Sequence, residues 1–143
     1  MSETQIAHGR CLCGSVGITA GKMSRHVGAC HCGMCRKWGG GPFLAVDCGT
    51  EVTFSGEEHI GVFRSSEWAE RGFCKMCGTS LFYRIVDGQQ YAVPIGLFDD
   101  AESLVFDIQV FIDRKPDYYS FVGEMQMMTE AEVIAMYAPP DKT

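Results

Sequence analysis

The stretch Cys30-His31-Cys32-Gly33-Met34-Cys35 places three thiols within six residues. Two further pairs flank it along the chain, Cys11-Leu12-Cys13-Gly14 and Cys74-Lys75-Met76-Cys77-Gly78. A Cys-x-Cys or Cys-x-x-Cys turn brings two sulfurs within reach of one ion. Glycine directly after the second cysteine suits the sharp turn, because positive φ costs glycine little; Gly14, Gly33 and Gly78 hold that position. Zn²⁺ takes four ligands in a tetrahedron with sulfur at about 2.3 Å.

Seven clustered thiols divide into four and three. The natural four are Cys11, Cys13, Cys74 and Cys77, two pairs far apart in sequence, where a structural zinc would clip two parts of a small fold together. Cys30, Cys32 and Cys35 form the second, catalytic set: three protein ligands leave a fourth position open to water or substrate. Other readings stand beside this one. Cys74-x-x-Cys77 alone is the pattern of a redox dithiol, and His26, His31 or Cys48 would close the second site as a fourth ligand. Spacing alone also leaves pairings that mix the groups open. Cys48 sits in the strand pattern Val46-Asp47-Cys48 and reads as a small buried hydrophobe; His31 reads as a turn residue, with ligand or proton shuttle as its other roles. Arg36 and Lys37 follow the cluster directly. They would offset the negative charge of three thiolates on a dication and attract an acidic ligand. Trp38 either walls a pocket or packs in the core.

Working outward, residues 1–10 are polar and read as a loose lead-in. Ser15–Ala20 alternates as a half-buried strand does, and Gly21-Lys22 reads as a turn. One helical turn is expected over Arg36–Trp38 and a loop over Gly39–Pro42. Strands are expected at Phe43–Cys48, Val52–Phe54, His59–Arg64, Thr79–Val86, Tyr91–Leu97 and Val105–Ile112. Asp87-Gly88 marks a hairpin, and Pro94 suggests an edge or a bulge. Thr129-Glu130-Ala131-Glu132 is a capping box opening a helix over residues 129–138, with Val133, Met136 and Tyr137 on one face and Pro139-Pro140 as its stop. Phe106, Phe111, Tyr118, Tyr119 and Phe121 read as core. The fold class is therefore mainly β, a single small domain over residues 1–143 with a short C-terminal helix.

The totals agree. The chain has 143 residues, 46% hydrophobic and 21% charged, with a net charge of −6, which counts against nucleic acid as a partner. No signal peptide and no run long enough for a membrane helix is visible, so the expected location is the cytoplasm, where clustered cysteines serve metal or redox chemistry rather than disulfides.

The order Cys11–Gly14, then Cys30–Lys37, then Cys74–Gly78 resembles the glutathione-dependent formaldehyde-activating enzyme family, which includes the centromere-protein-V-like proteins. Gly39–Gly41 before Phe43 and the segment Phe111-Ile112-Asp113 with Tyr118-Tyr119 extend the similarity, which spans about residues 10–121. Tyr118-Tyr119 stands where the family often carries a tryptophan. The resemblance implies a β-tent of short coiled sheets held by zinc. It implies a structural zinc on Cys11, Cys13, Cys74 and Cys77 and a second zinc on Cys30, Cys32 and Cys35. It further implies a carbon–sulfur lyase-type reaction in which glutathione or another small thiol adds to a small aldehyde as an S-hydroxymethyl adduct, with Arg36 and Lys37 holding the tripeptide. The alternative is a non-catalytic zinc module that carries a thiol or docks a protein partner. The sequence is silent on oligomeric state.

Overall fold

The structure, a computed structural model, describes residues 3–137. Eleven strands and two helices are found among them. β1 (Thr4–Arg10), β2 (Gly17–Ser24) and β5 (Val52–Ser55) form a three-stranded antiparallel sheet in the order β1-β2-β5. The second sheet has eight strands. It contains β3 (His26–Cys30), β4 (Phe43–Gly49), β6 (Ile60–Arg64), β7 (Ala69–Cys74), β8 (Ser80–Ile85), β9 (Gln90–Pro94), β10 (Val105–Val110) and β11 (Gln126–Met128). Their order is β11-β10-β3-β4-β9-β8-β7-β6, with β10 running parallel to both β3 and β11. The chain is mainly β, as expected, with α1 (Gly33–Gly39) after β3 and α2 (Glu130–Tyr137) at the C-terminal end.

The core lies between the sheets. Ala7, Ile18, Ala20 and Met23 from the small sheet meet Val27, Val46, Cys48, Leu81, Phe82 and Val93 from the large one. Cys48 is fully buried, as its strand pattern suggests. Phe54, Phe82 and Tyr91 pack ring against ring at the margin. The Asp87-Gly88 hairpin joins β8 to β9, which pair antiparallel.

Several local expectations are corrected. Residues 4–10 are a strand, not a lead-in: their inward residues are Ala7 and Gly9, too small to register as a hydrophobic pattern. Gly21-Lys22 is no turn but an irregularity inside β2, where Gln5 pairs with Met23 and Ala7 with Ala20. α1 is longer than one turn, because Cys32 caps its start and Gly40, at φ 86°, ends it. Pro94 lies in an interior strand, but as its last residue, where the chain leaves for a 3₁₀ turn at Ile95–Leu97. β10 stops at Val110 because Phe111 enters the left-handed region at φ 55°. The Thr129 capping box forms: Thr129 N–H donates to Glu132 Oε1 at 2.8 Å and Glu132 N–H to Thr129 Oγ1 at 3.3 Å. Met136 is exposed rather than packed; the Tyr137 side chain and the Pro139-Pro140 stop lie outside the described residues. No helix of the described residues is long and apolar enough to cross a membrane.

A surface triad ties the start of β1 to β10. His26 donates from Nε2 to Glu3 at 2.7 Å and from Nδ1 to Asp107 at 2.6 Å. The Glu3 bond first, then the Asp107 bond, raises the imidazole above its ordinary value. A folded-state value above the unfolded one means the contribution is complete below about pH 6.5 and is lost as pH rises through the folded value. The stability difference between the protein and its His26→Gln variant should therefore shrink as urea midpoints are followed from about pH 6 to about pH 9.

Candidate metal centres

Two hairpin ends bring the first sulfur group together. Cys11 and Cys13 lie in the β1–β2 connection; Cys74 ends β7, and Cys77 lies in the connection to β8. The two turns are built alike. Cys11 N–H donates to Val16 O and Cys74 N–H to Thr79 O, while Gly14 and Gly78 return N–H bonds to Cys11 O and Cys74 O. Both glycines sit at φ 80°, where a side chain would be strained. All four Sγ atoms fall within 4.8 Å of one another. A tetrahedron of sulfurs about 2.3 Å from a central ion has edges of about 3.8 Å. Cys11 Sγ lies 3.7 Å from Cys13 Sγ, and Cys13 Sγ lies 3.8 Å from Cys74 Sγ. The donor set thus fits a thiophilic dication, and such an ion would join the three-stranded sheet to the eight-stranded one.

The surroundings favour thiolate on the outer sulfurs. The Thr79 hydroxyl, 3.1 Å away, and then the Thr79 backbone hold Cys77 down to about 5. Ser15, bonded at 3.2 Å, lowers Cys13. Burial pushes Cys74 up to about 11, so that sulfur needs the cation's charge to ionise at neutral pH.

The second group forms at the opposite kind of junction. Cys30 is the last residue of β3, Cys32 is the N-cap of α1 and Cys35 lies in its first turn. Their three Sγ atoms also lie within 4.8 Å of one another, with no fourth Cys, His, Asp or Glu among the described residues completing the group. Cys35 N–H donates to Cys32 Sγ at 3.3 Å. Hydrogen bonds from the Cys30 and Cys35 thiols, then that backbone N–H, hold Cys32 far below an ordinary thiol.

The alternative fourth ligands are engaged elsewhere. His26 is held by Glu3 and Asp107, and Cys48 Sγ donates to Val46 O inside the core. His31, read as a turn residue, is instead fully buried. Its Nε2 bonds Gln109 Oε1 and its Nδ1 bonds the Tyr119 hydroxyl, both at 2.8 Å. With Gln109 as acceptor, Nε2 carries the proton and Nδ1 accepts from tyrosine. Burial lowers the imidazole's basicity, so it stays neutral. Parallel pairing of β3 with β10 creates this arrangement, since Val110 sits opposite Cys30 and accepts from His31 N–H at 3.1 Å.

Arg71, not singled out from the sequence, adjoins the three-sulfur group. It is 5% exposed, and both Nη atoms point at Cys35 Sγ from 3.6 Å. Its guanidinium lies 5.0 Å from the Trp38 ring centroid and 5.1 Å from that of Tyr83, and its Nε donates to Ser65 Oγ at 3.3 Å. Trp38 thus packs on Arg71 and Phe43 and does not line the cavity. The sequence predicts no strand over Ala69–Cys74, and the signal available in it is an arginine two residues from Ala69, on the side of a strand that buries Ala69.

A cavity of about 370 Å³ reaches the cluster at Cys32 alone and is lined by Cys32, Gly33, Met34, Arg36, Phe111, Arg114 and Glu130. That volume falls within the range of about 300–1,000 Å³ typical of small-ligand sites. Arg36 is fastened by Nε to His31 O at 3.0 Å. Lys37 is exposed and does not line the cavity. Arg114 does, and Glu130 Oε1 accepts from its Nε at 2.6 Å. Of the aromatic set expected in the core, Phe111 lines this cavity, Tyr118 is exposed, and Phe106 and Phe121 pack edge to face. A cleft of about 390 Å³ lies on the three-stranded sheet beside His8, Arg10 and Asp100. It touches no cysteine, so the sulfur chemistry singles out the other cavity.

The sequence profile of the glutathione-dependent formaldehyde-activating enzyme family matches residues 6–114. An uncharacterized lyase of Schizosaccharomyces pombe is 39% identical over 127 residues, covering 88% of this chain and 93% of that protein. The crystal structure of a Rhodobacter sphaeroides protein superposes with a TM-score of 0.55 over 66% of this chain and 90% of its own, at 20% identity, a likeness of fold alone.

Proposed function

The chain belongs to the glutathione-dependent formaldehyde-activating enzyme family, and on that premise we propose that it is a carbon–sulfur lyase-type enzyme joining glutathione to formaldehyde or a similarly small aldehyde. The observation that carries the reading is a group of three sulfurs, rather than four, that a cavity lined by two arginines and Glu130 reaches at Cys32. In the reaction the thiol sulfur bonds the carbonyl carbon, the carbonyl π electrons move to oxygen, and the proton lost at sulfur is regained there. A zinc ion held by Cys30, Cys32 and Cys35 would supply the positive charge that favours the visiting thiol's anionic form.

The remaining work belongs to the chain's own side chains. Arg36 suits one carboxylate of a tripeptide, since a guanidinium fork matches carboxylate oxygens, and Arg114 suits the second once that carboxylate displaces Glu130 from its fork. Arg114 thus takes the part expected of Lys37. Phe111 and Met34 present apolar surface between them. His31 is spent on Gln109 and Tyr119, so it holds the Cys30–Cys32 turn in place rather than moving protons. The four-sulfur group takes the structural zinc in this reading.

The test uses protein loaded with cobalt in place of zinc. Millimolar glutathione should shift the visible cobalt band, and purified protein should raise the rate of adduct formation above that of the free reactants. No spectral response to thiol would remove the proposal. A response without rate gain would instead make the protein a thiol carrier.

A further inference from the structure

We propose that Arg71 is the counter-ion of the three-sulfur cluster, setting how tightly that site keeps a dication and how strongly it prefers an anionic visiting ligand over a neutral one. The inference rests on reading Cys30, Cys32 and Cys35 as a metal site, and goes beyond it by assigning the site's charge balance to one residue from a distant strand.

Burying a guanidinium is costly unless an anion or a full set of acceptors meets it. Arg71 forms no ion pair with a carboxylate among the described residues; the described pairs involve other side chains. Its Nε finds Ser65, and both Nη atoms converge on Cys35 Sγ. Arg71 is therefore placed to face negative charge on sulfur. Three thiolates and a dication sum to a net charge of about −1, and one guanidinium brings the assembly to about zero. Arg71 is 5% exposed, which limits screening of its charge by water, and the Trp38 and Tyr83 rings at 5.0 and 5.1 Å add cation–π attraction. The position is rigid as well, because Arg71 and Tyr83 are register partners across β7 and β8. Adding an anionic thiolate to a neutral assembly costs less than adding it to one already negative, so the same residue favours thiolate over imidazole at the open position.

The experiment compares wild type, Arg71→Met and Arg71→Lys after cobalt loading, with chelator competition to measure affinity at the three-sulfur site. Cys32→Ser serves as the background that retains the four-sulfur metal only. Arg71→Met should weaken the second cobalt by about tenfold to a hundredfold, the usual span for a lost outer-sphere partner. Arg71→Lys, which keeps the charge, should stay within a few-fold of wild type. 2-Mercaptoethanol should bind Arg71→Met more weakly by about tenfold while imidazole binding is unchanged. Equal metal affinity in wild type and Arg71→Met would overturn the proposal. So would equal losses in the methionine and lysine variants, which would point to packing rather than charge. Should Arg71→Met not fold, Arg71→Gln, which removes the charge and keeps polar N–H donors, should show the same loss of about tenfold to a hundredfold, and wild-type affinity in it would overturn the proposal. A wild type that takes up only one cobalt per chain would overturn the metal-site reading itself, a result distinguishable from a wild type and an Arg71→Met that both take up two.

Discussion

Cys74→Ser is expected to unfold the protein at a markedly lower urea concentration and to leave it with less than one tightly bound zinc at the four-sulfur group. Cys74 is fully buried, ends β7 and lies 3.8 Å from Cys13, on the opposite sheet's hairpin. A serine oxygen is a shorter, harder donor that Zn²⁺ holds poorly, and here it would also sit in a site shaped for sulfur. Binding of a structural zinc is folding free energy. A hundredfold loss of affinity already removes about 2.7 kcal/mol, against a total stability of about 5–15 kcal/mol for a domain of this size. Two controls isolate the metal's share. Cys48→Ser changes an equally buried cysteine outside both groups, and should cost only the roughly 1–3 kcal/mol of a buried hydroxyl. Wild type stripped with a chelator should fall to the stability of Cys74→Ser. Chelated wild type that unfolds at the same urea concentration as untreated protein would end the claim that this sulfur group braces the fold.

What sequence reading recovered was local. The knuckle glycines Gly14 and Gly78, the Asp87-Gly88 hairpin and the Thr129 capping box each depend on a few adjacent residues, and each forms; Gly33, expected in a like turn, instead opens α1 without a positive φ. The capping box even shapes the candidate site, because Glu130 beside it reaches Arg114. What escaped was set by partners far along the chain. β1 shows no hydrophobic alternation because its inward residues must be small: a Cβ on Gly9 would fall 1.9 Å from Leu97 O. The parallel pairing of β3 and β10 joins residues about 80 apart, so neither the Gln109–His31 bond nor the entry of Phe111 into the cavity has a local signature. Arg71 escaped for a related reason. In sequence it is one charge in a stretch where no strand is expected; only the β7–β8 register, which places Tyr83 beside it, and the approach of α1, which brings Cys35 and Trp38, set it against the three-sulfur group.

The second large effect concerns Cys32→Ser, and its expected outcome is the inverse of the first: the fold survives and the thiol response disappears. Cys32 is the N-cap of α1, its sulfur accepting from Cys35 N–H. Serine is among the best N-cap residues, so the variant keeps the helix start that the cysteine provides. The side chain is half-buried at the cavity edge, where a hydroxyl can be solvated. β3, β4 and β10 pair through backbone bonds that do not involve it. The side-chain change itself therefore should move the urea midpoint by less than the equivalent of about 1 kcal/mol, measured against wild type whose three-sulfur site is empty, so that the linked loss of the second ion's binding energy is not counted in it. Two sulfurs remain for the ion, however, and a dithiolate with weak oxygen donors holds zinc far less firmly than a trithiolate. Elemental analysis should give one zinc per chain instead of two, and glutathione should no longer shift the cobalt band. Because the two variants differ in which sulfur group is opened, their comparison tests the division of labour directly. If Cys32→Ser unfolds as readily as Cys74→Ser, the three-sulfur group is a second brace, and the open coordination position on which the proposed chemistry depends is gone.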